Sequence, residues 1–251
     1  MGRTLIDAVV AAPDLALCAA LEIPGSPLVG QAAAPSSAPA LRITDDLRAL
    51  DGADVLIDFT RPAGTLRHLQ ACRNAGVAIV IGTTGFSEAE KGQIEEAGRH
   101  IPIVFAPNMS VGVNVMLRLL EQAARTLGGD YDVEVIEAHH KHKVDAPSGT
   151  ALAMGEAVAR ARGVDLSTHG VFTRHGHTGE RPGGSIGFAT VRGGDIVGEH
   201  TVLFAGTGER IEISHKSSSR ANYAEGSLRA ARFVAGRGPG LYGMGDVLGL
   251  A

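Results

Sequence analysis

Tryptophan is absent from the 251-residue chain, cysteine occurs only at Cys18 and Cys72, and lysine only at four positions. Two cysteines with neither metal-ligand spacing nor a disulfide framework fit a reducing cytoplasm. There is no excess of positive charge: the formal net charge is -4. That argues against a nucleic-acid partner, so any anionic ligand has to be met by a local group of cations. Long apolar runs are also lacking. The longest, such as VAIVIG, fall far short of the roughly 20 residues that span a bilayer, so no membrane partner is expected. Arg3 and Asp7 close to the start do not fit a secretory signal. What remains is an ordinary globular composition, 44% hydrophobic and 20% charged, with 34 glycines that imply many tight turns.

The first hundred residues alternate short apolar runs with amphipathic segments, the pattern of a parallel α/β sheet. Strands are expected at 15–22, 54–60, 77–85 and 102–108. Pro62 and Gly76 mark the first turn and the C-terminal cap of one helix. Ser87 and Glu90 form a capping box for the next, which runs to Arg99. Residues 25–39, rich in Gly, Pro, Ser and Ala, read as a surface loop. A long helix over 112–128 leads into a strand at 131–140. Strands near 185–191, 196–205 and 210–215, joined by RGGD and GTGE turns, predict a mostly antiparallel sheet in a second domain. A last helix over 221–235 offers an apolar face through Tyr223, Leu228, Ala231 and Phe233 and returns the chain to the first domain.

The chemistry concentrates in IEAHHKHKVDAPSGTALA, residues 136–153. A metal site of His139, His140 and His142, with Glu137, Asp145, His175 or His177 as further ligands, is one reading. Lys141 and Lys143, interleaved with the histidines, would repel the cation. A solvated basic turn is a second reading. An anion site explains more: Ser148, Gly149 and Thr150 open a helix, whose first turn presents unpaired N–H groups and the positive end of the helix dipole. Two of the four lysines stand just upstream, and a histidine beside such a site can carry and release a proton near neutral pH. Glu22, at the end of the 15–22 segment, stands where a ribose-binding acid belongs in a dinucleotide-binding unit. GTTG and APNMS supply small and polar residues at the ends of two later strands, where parallel sheets bind ligands.

EAHHKHKVDAPSGTA, together with DFTRPAGT, VIGTTGF, NMSVGVNV and GHTGERPGGSIGFATVRGGDIVGEH, resembles the 4-hydroxy-tetrahydrodipicolinate (dihydrodipicolinate) reductases of bacterial lysine and diaminopimelate biosynthesis, over nearly the whole chain. The resemblance implies an α/β fold: a Rossmann-like dinucleotide-binding domain over 1–110, completed by 221–251, and an α+β substrate-binding and tetramerisation domain with an open mixed β-sheet over 111–220. It implies a cytoplasmic homotetramer, without a metal, that uses NADH or NADPH to reduce a cyclic, unsaturated dicarboxylate. His139 matches the proton donor and Lys143 the residue that assists it and binds substrate. His140, Gly149 and Thr150 match the holders of the carboxylates. Glu22, Gly82, Thr83, Thr84, Ala106, Pro107, Asn108 and Met109 match cofactor contacts, and Met1 the remnant of the phosphate loop. Family members open with a β-strand and a GxxGRMGR loop, whereas this chain starts inside that loop. A start assigned too late, or a truncated chain, is therefore expected, with the first strand missing. Members that use NADPH well carry arginine directly after the ribose-binding acid; Ile23 stands there, so NADH is the expected preference. Two alternatives from other classes stay open: a metal-dependent hydrolase or lyase using His139, His140, His175 and His177, and a non-catalytic dicarboxylate-binding regulator.

Overall fold

A computed structural model describes residues 1–34 and 41–250, which divide into two units, Met1–Val111 with Arg220–Ala251, and Gly112–Ser219. Elements are numbered along the chain. The first unit contains α1 (Gly2–Ala11), β1 (Val55–Asp58), α2 (Pro62–Ala75), β2 (Ala78–Ile81), α3 (Glu88–Gly98), β3 (Pro102–Phe105), α7 (Ala221–Ala235), β9 (Gly240–Tyr242) and α8 (Met244–Leu248). Its strands pair in parallel in the order β1-β2-β3-β9. Every residue of β2 is buried, as a central parallel strand covered on both faces requires. Ile79, Ile81 and Ile103 pack with Leu69, Cys72 and Ile94 of α2 and α3; Val80 and Val104 pack with Ala230, Val234 and Met244 of α7 and α8. The local signals act as expected. Pro62 is the first residue of α2, Gly76 caps it at φ 69°, and the Ser87–Glu90 box is reciprocal.

The strand expected at 15–22 does not form. Only Leu21 bridges, to Thr44, with the Glu22 N–H donating to the Thr44 carbonyl. A strand needs a partner along its length, and instead a cavity of about 390 Å³ separates this segment and α1 from β1. Helix α1 was not among the expectations, although Leu5, Ala8 and Val9 repeat at helical spacing; they pack near Ala224 and Leu228 of α7. The loop expected over 25–39 consists of turns and bends as far as residue 34; residues 35–39 lie outside the described residues.

The second unit contains α4 (Val111–Leu127), β4 (Asp132–His139), α5 (Gly149–Arg162), α6 (Leu166–His169), β5 (Gly170–Val171), β6 (Ile186–Arg192), β7 (Gly198–Ala205) and β8 (Arg210–Ser217). The sheet is mixed, in the order β5-β6-β4-β7-β8, and this corrects the mostly antiparallel expectation. The RGGD connector closes no hairpin, because β4 lies between β6 and β7. It wraps the end of β4 instead, the Gly193 N–H donating to the His139 carbonyl. GTGE does join the antiparallel pair β7 and β8. One sheet face, with Val133, Val135, Ile186, Val202 and Phe204, is covered by Met116 and Leu120 of α4 and Met154 and Val158 of α5. Ile136 and Val191, on the other face, remain exposed. No helix among the described residues is long and apolar enough to cross a membrane.

Candidate active site

The alternation that buries Val133 and Val135 continues along β4 to Glu137 and His139. Two ionisable groups thus occupy positions of a covered strand face, where an unpaired charge is costly. Glu137, 1% exposed, is fully engaged. Both Arg192 terminal nitrogens donate to its two oxygens at 2.8 Å, the Ser148 N–H donates at 3.1 Å, and His139 Nδ1 lies 2.6 Å from Oε2. Burial pushes the Glu137 carboxyl up, but Arg192, His139 and the Ser148 amide outweigh it and bring it down to about 2. An ionised carboxylate accepts hydrogen bonds only, so His139 donates from Nδ1 and its ring is fixed. Its Nε2 points toward Gly198, where an added Cβ would stand 3.1 Å away.

Ser148 caps α5, its hydroxyl accepting from the Ala151 N–H and lying 2.9 Å from His200 Nε2. The His200 and His139 rings meet edge to face at 5.1 Å. Burial, followed by the charge of His139, lowers His200 to about 4, so this second histidine is neutral at physiological pH. Arg192 also donates to the Asp145 carbonyl, holding the 140–147 loop to β6. Lys143 Nζ pairs with Asp145 Oδ1 at 2.9 Å. Gly149 and Thr150 open α5, and a Cβ on Gly149 would meet no atom within 4 Å. His140 is half-buried, its ring 6.2 Å from that of His142. His175 and His177 are exposed on the stretch between β5 and β6, and no group of three or more His, Cys, Asp or Glu among the described residues is arranged to hold a metal. Sequence reasoning missed Arg192 and His200 and gave Glu137 only a possible metal role. The period of two in β4 was the available signal for Glu137.

In the first unit, Glu22 lines the 390 Å³ cavity together with Gly2, Arg3, Asp58, Thr60 and His68. Met1 is the N-cap of α1. Gly82 follows β2 under the Phe59 ring, which leaves no room for a Cβ there, and Thr83 is buried beside the exposed Thr84. After β3, Ala106 and Met109 are buried, Pro107 is exposed, and Asn108 Oδ1 accepts from the Ser110 N–H. The remaining lining of that cavity is mainly apolar, with Leu5, Val9, Leu21 and Ile57 among it; the two loops leave the carboxyl ends of parallel strands, where ligands of such sheets bind.

Residues 1–109 match the family model for the dihydrodipicolinate reductase N-terminus and residues 112–248 that for its C-terminus. The chain is 64% identical over 253 aligned positions to the 4-hydroxy-tetrahydrodipicolinate reductase of Nitrosospira multiformis, covering 100% of this chain and 94% of the relative. It is 60% identical to that of Thiobacillus denitrificans, covering 100% and 95%. The solved dipicolinate-bound dihydrodipicolinate reductase from Paenisporosarcina sp. TG-14 aligns with a TM-score of 0.77 at 25% identity, covering 98% of this chain and 94% of that one. The chain belongs to the dihydrodipicolinate reductase family and is an NAD(P)H-dependent oxidoreductase with 4-hydroxy-tetrahydrodipicolinate reductase activity in lysine and diaminopimelate biosynthesis.

Proposed function

We propose that His139 donates the proton in this reduction, that Lys143 assists it and holds substrate, and that His140, Gly149 and Thr150 bind the substrate carboxylates. Met1, Glu22, Gly82, Thr83, Thr84, Ala106, Pro107, Asn108 and Met109 would hold the dinucleotide, which supplies a hydride when bound. The observation that carries this reading is the buried Glu137–His139 pair. Arg192 keeps Glu137 ionised and Glu137 keeps Nδ1–H in place, so Nε2 is the nitrogen left to exchange a proton with a ligand. Lys143 trades the half-exposed Asp145 for a substrate carboxylate at little electrostatic cost, because exposed pairs are worth only about 0–1 kcal/mol. The first-turn N–H groups of α5 and the helix dipole receive a carboxylate, as helix N-termini do.

The carboxylate site is testable at Gly149. A Cβ there would meet no atom within 4 Å beyond its chain neighbours and the backbone of its own helix. Gly149→Val therefore raises the substrate KM and the inhibition constant of pyridine-2,6-dicarboxylate while leaving the melting temperature near that of the parent. Loss of one charge-assisted hydrogen bond, about 1.5–3 kcal/mol, corresponds to about a 10–100-fold weakening. Steady-state inhibition kinetics check it, and unchanged inhibition would place the anion elsewhere.

NADH is the preferred nucleotide in this proposal. Glu22 accepts hydrogen bonds from free ribose hydroxyls and repels a 2′-phosphate. The next residue, Ile23, is apolar and 67% exposed, offering no compensating charge. The absent charge-assisted bond favours NADH by about 10–100-fold in kcat/KM. Ile23→Arg should gain NADPH activity with little change toward NADH. Equal use of NADPH by the parent enzyme would show that another cation, Arg61 foremost, already meets the phosphate.

The exposed apolar residues on the open face of the second sheet, Ile136 and Val191 among them, support assembly through that face into the homotetramer proposed here. The scarcity of cysteine and the biosynthetic role support a cytoplasmic location. The reductase reading as a whole is tested by nicotinamide oxidation in the presence of the product of dihydrodipicolinate synthase.

A further inference from the structure

Asp58, the last residue of β1, is a carboxylate only 2% exposed that the reaction does not use. Its Oδ1 accepts from the Thr60 N–H at 2.8 Å, the Thr60 hydroxyl at 2.8 Å, the Thr83 hydroxyl at 3.1 Å and the Thr65 hydroxyl at 3.2 Å. The other oxygen accepts from His68 Nδ1 at 2.7 Å. One side chain thereby ties together the loop after β1, the first turns of α2 and the loop after β2. The tie is reinforced twice. Thr83 Oγ1 accepts from the Thr60 N–H at 2.9 Å, and the Phe59 ring fills the space that a side chain on Gly82 would need.

A buried carboxylate is expensive unless its lone pairs are filled, and this one is filled from segments that leave neighbouring strands at their carboxyl ends. Burial pushes its pKa up, while His68 and Thr60 outweigh that effect and hold it below the usual carboxylate range. A carboxylate buried at this place has no role in filling the core, which is apolar on both faces of the sheet. Its effect is to fix the conformation of residues 82–84 relative to residues 59–61. We infer that Asp58 is a positioning residue for the nucleotide: through Thr60 and Thr83 it sets the shape of the Gly82–Thr84 loop before the dinucleotide arrives. This rests on the reading of that loop as a cofactor contact.

Preorganisation of this kind appears in cofactor affinity and less in turnover. Asp58→Asn keeps the shape of the side chain and removes its charge; Thr83→Val keeps the volume and removes the bridging hydroxyl; Thr83→Ser restores the hydroxyl. Both Asp58→Asn and Thr83→Val should raise the NADH Kd and KM by about tenfold, the loss of one hydrogen bond to a charged group. The substrate KM should move much less, and Thr83→Ser should recover most of the NADH affinity. Should Asp58→Asn fail to fold, Thr65→Val decides: it removes another buried donor to Asp58 at a residue outside the proposed cofactor contacts, and parent-like NADH affinity in it overturns the inference as well. Parent-like NADH affinity in Thr83→Val, or equal loss of nucleotide and substrate affinity, overturns the inference. Failure of the unsubstituted protein to bind NADH at all would instead overturn the cofactor reading on which it rests.

Discussion

His139→Ala lowers kcat by about 10²–10⁴-fold, the range spanned by general acid catalysis, with a much smaller change in substrate KM. The size follows from the geometry. His139 is buried and held on one nitrogen by Glu137, so its proton is delivered from a fixed position that alanine cannot reproduce. His200 cannot substitute: it is lowered to about 4, so near neutrality it is the uncharged imidazole, too weak an acid to take over. Lys143→Ala should damage both kcat and KM, since it loses a charge aimed at a carboxylate as well as help for the acid. Steady-state kinetics at saturating nucleotide separate the two. Parent-level turnover in His139→Ala would remove His139 from the mechanism.

Glu137→Ala is the second large effect, and it falls on stability and activity together. Removing one partner of a buried pair leaves the other charge uncompensated, which costs about 3–5 kcal/mol. Here the orphan is Arg192, which donates twice to Glu137. Its link to the Asp145 carbonyl should loosen with it, freeing the loop that carries Lys143. The double variant Glu137→Leu with Arg192→Met separates the two consequences, because an apolar replacement of both partners can recover stability. It should regain most of the lost melting temperature and none of the lost kcat. Recovery of activity along with stability would reduce the pair to a structural role. The parent protein carries a linked acid dependence. The folded-state pKa of Glu137 is depressed from 4.5 to about 2, so its contribution is complete above 4.5 and disappears as pH falls through 2.

How far the sequence discloses such a molecule depends on whether a feature is local. Pro62, Gly76 and the Ser87–Glu90 box are decided within one turn of chain, and each marks a helix end in the structure. The 136–153 stretch is equally legible, because the helix start at Ser148 and the cations before it are neighbours in sequence. Residues 15–22 fail for the opposite reason. Their apolar content suits a strand, but a strand exists only with a partner in register, and here the pairing extends no further than the bridge near Thr44. The order of the second sheet is hidden in the same way: RGGD has turn chemistry, yet β4 separates the strands it joins. Arg192 meets Glu137 across 55 residues of sequence, brought there by the parallel register that sets His139 opposite Arg192. Nothing in the local pattern of either residue announces the other.

The most direct measurement is the absorbance of NADH in a solution of the purified chain, followed on addition of the product of dihydrodipicolinate synthase. NADH should be consumed in a one-to-one ratio with that substrate, slowed competitively by pyridine-2,6-dicarboxylate and slowed about 10²–10⁴-fold in His139→Ala. A folded protein that oxidises neither NADH nor NADPH under these conditions, or that does so equally well without His139, would contradict the assignment of this site.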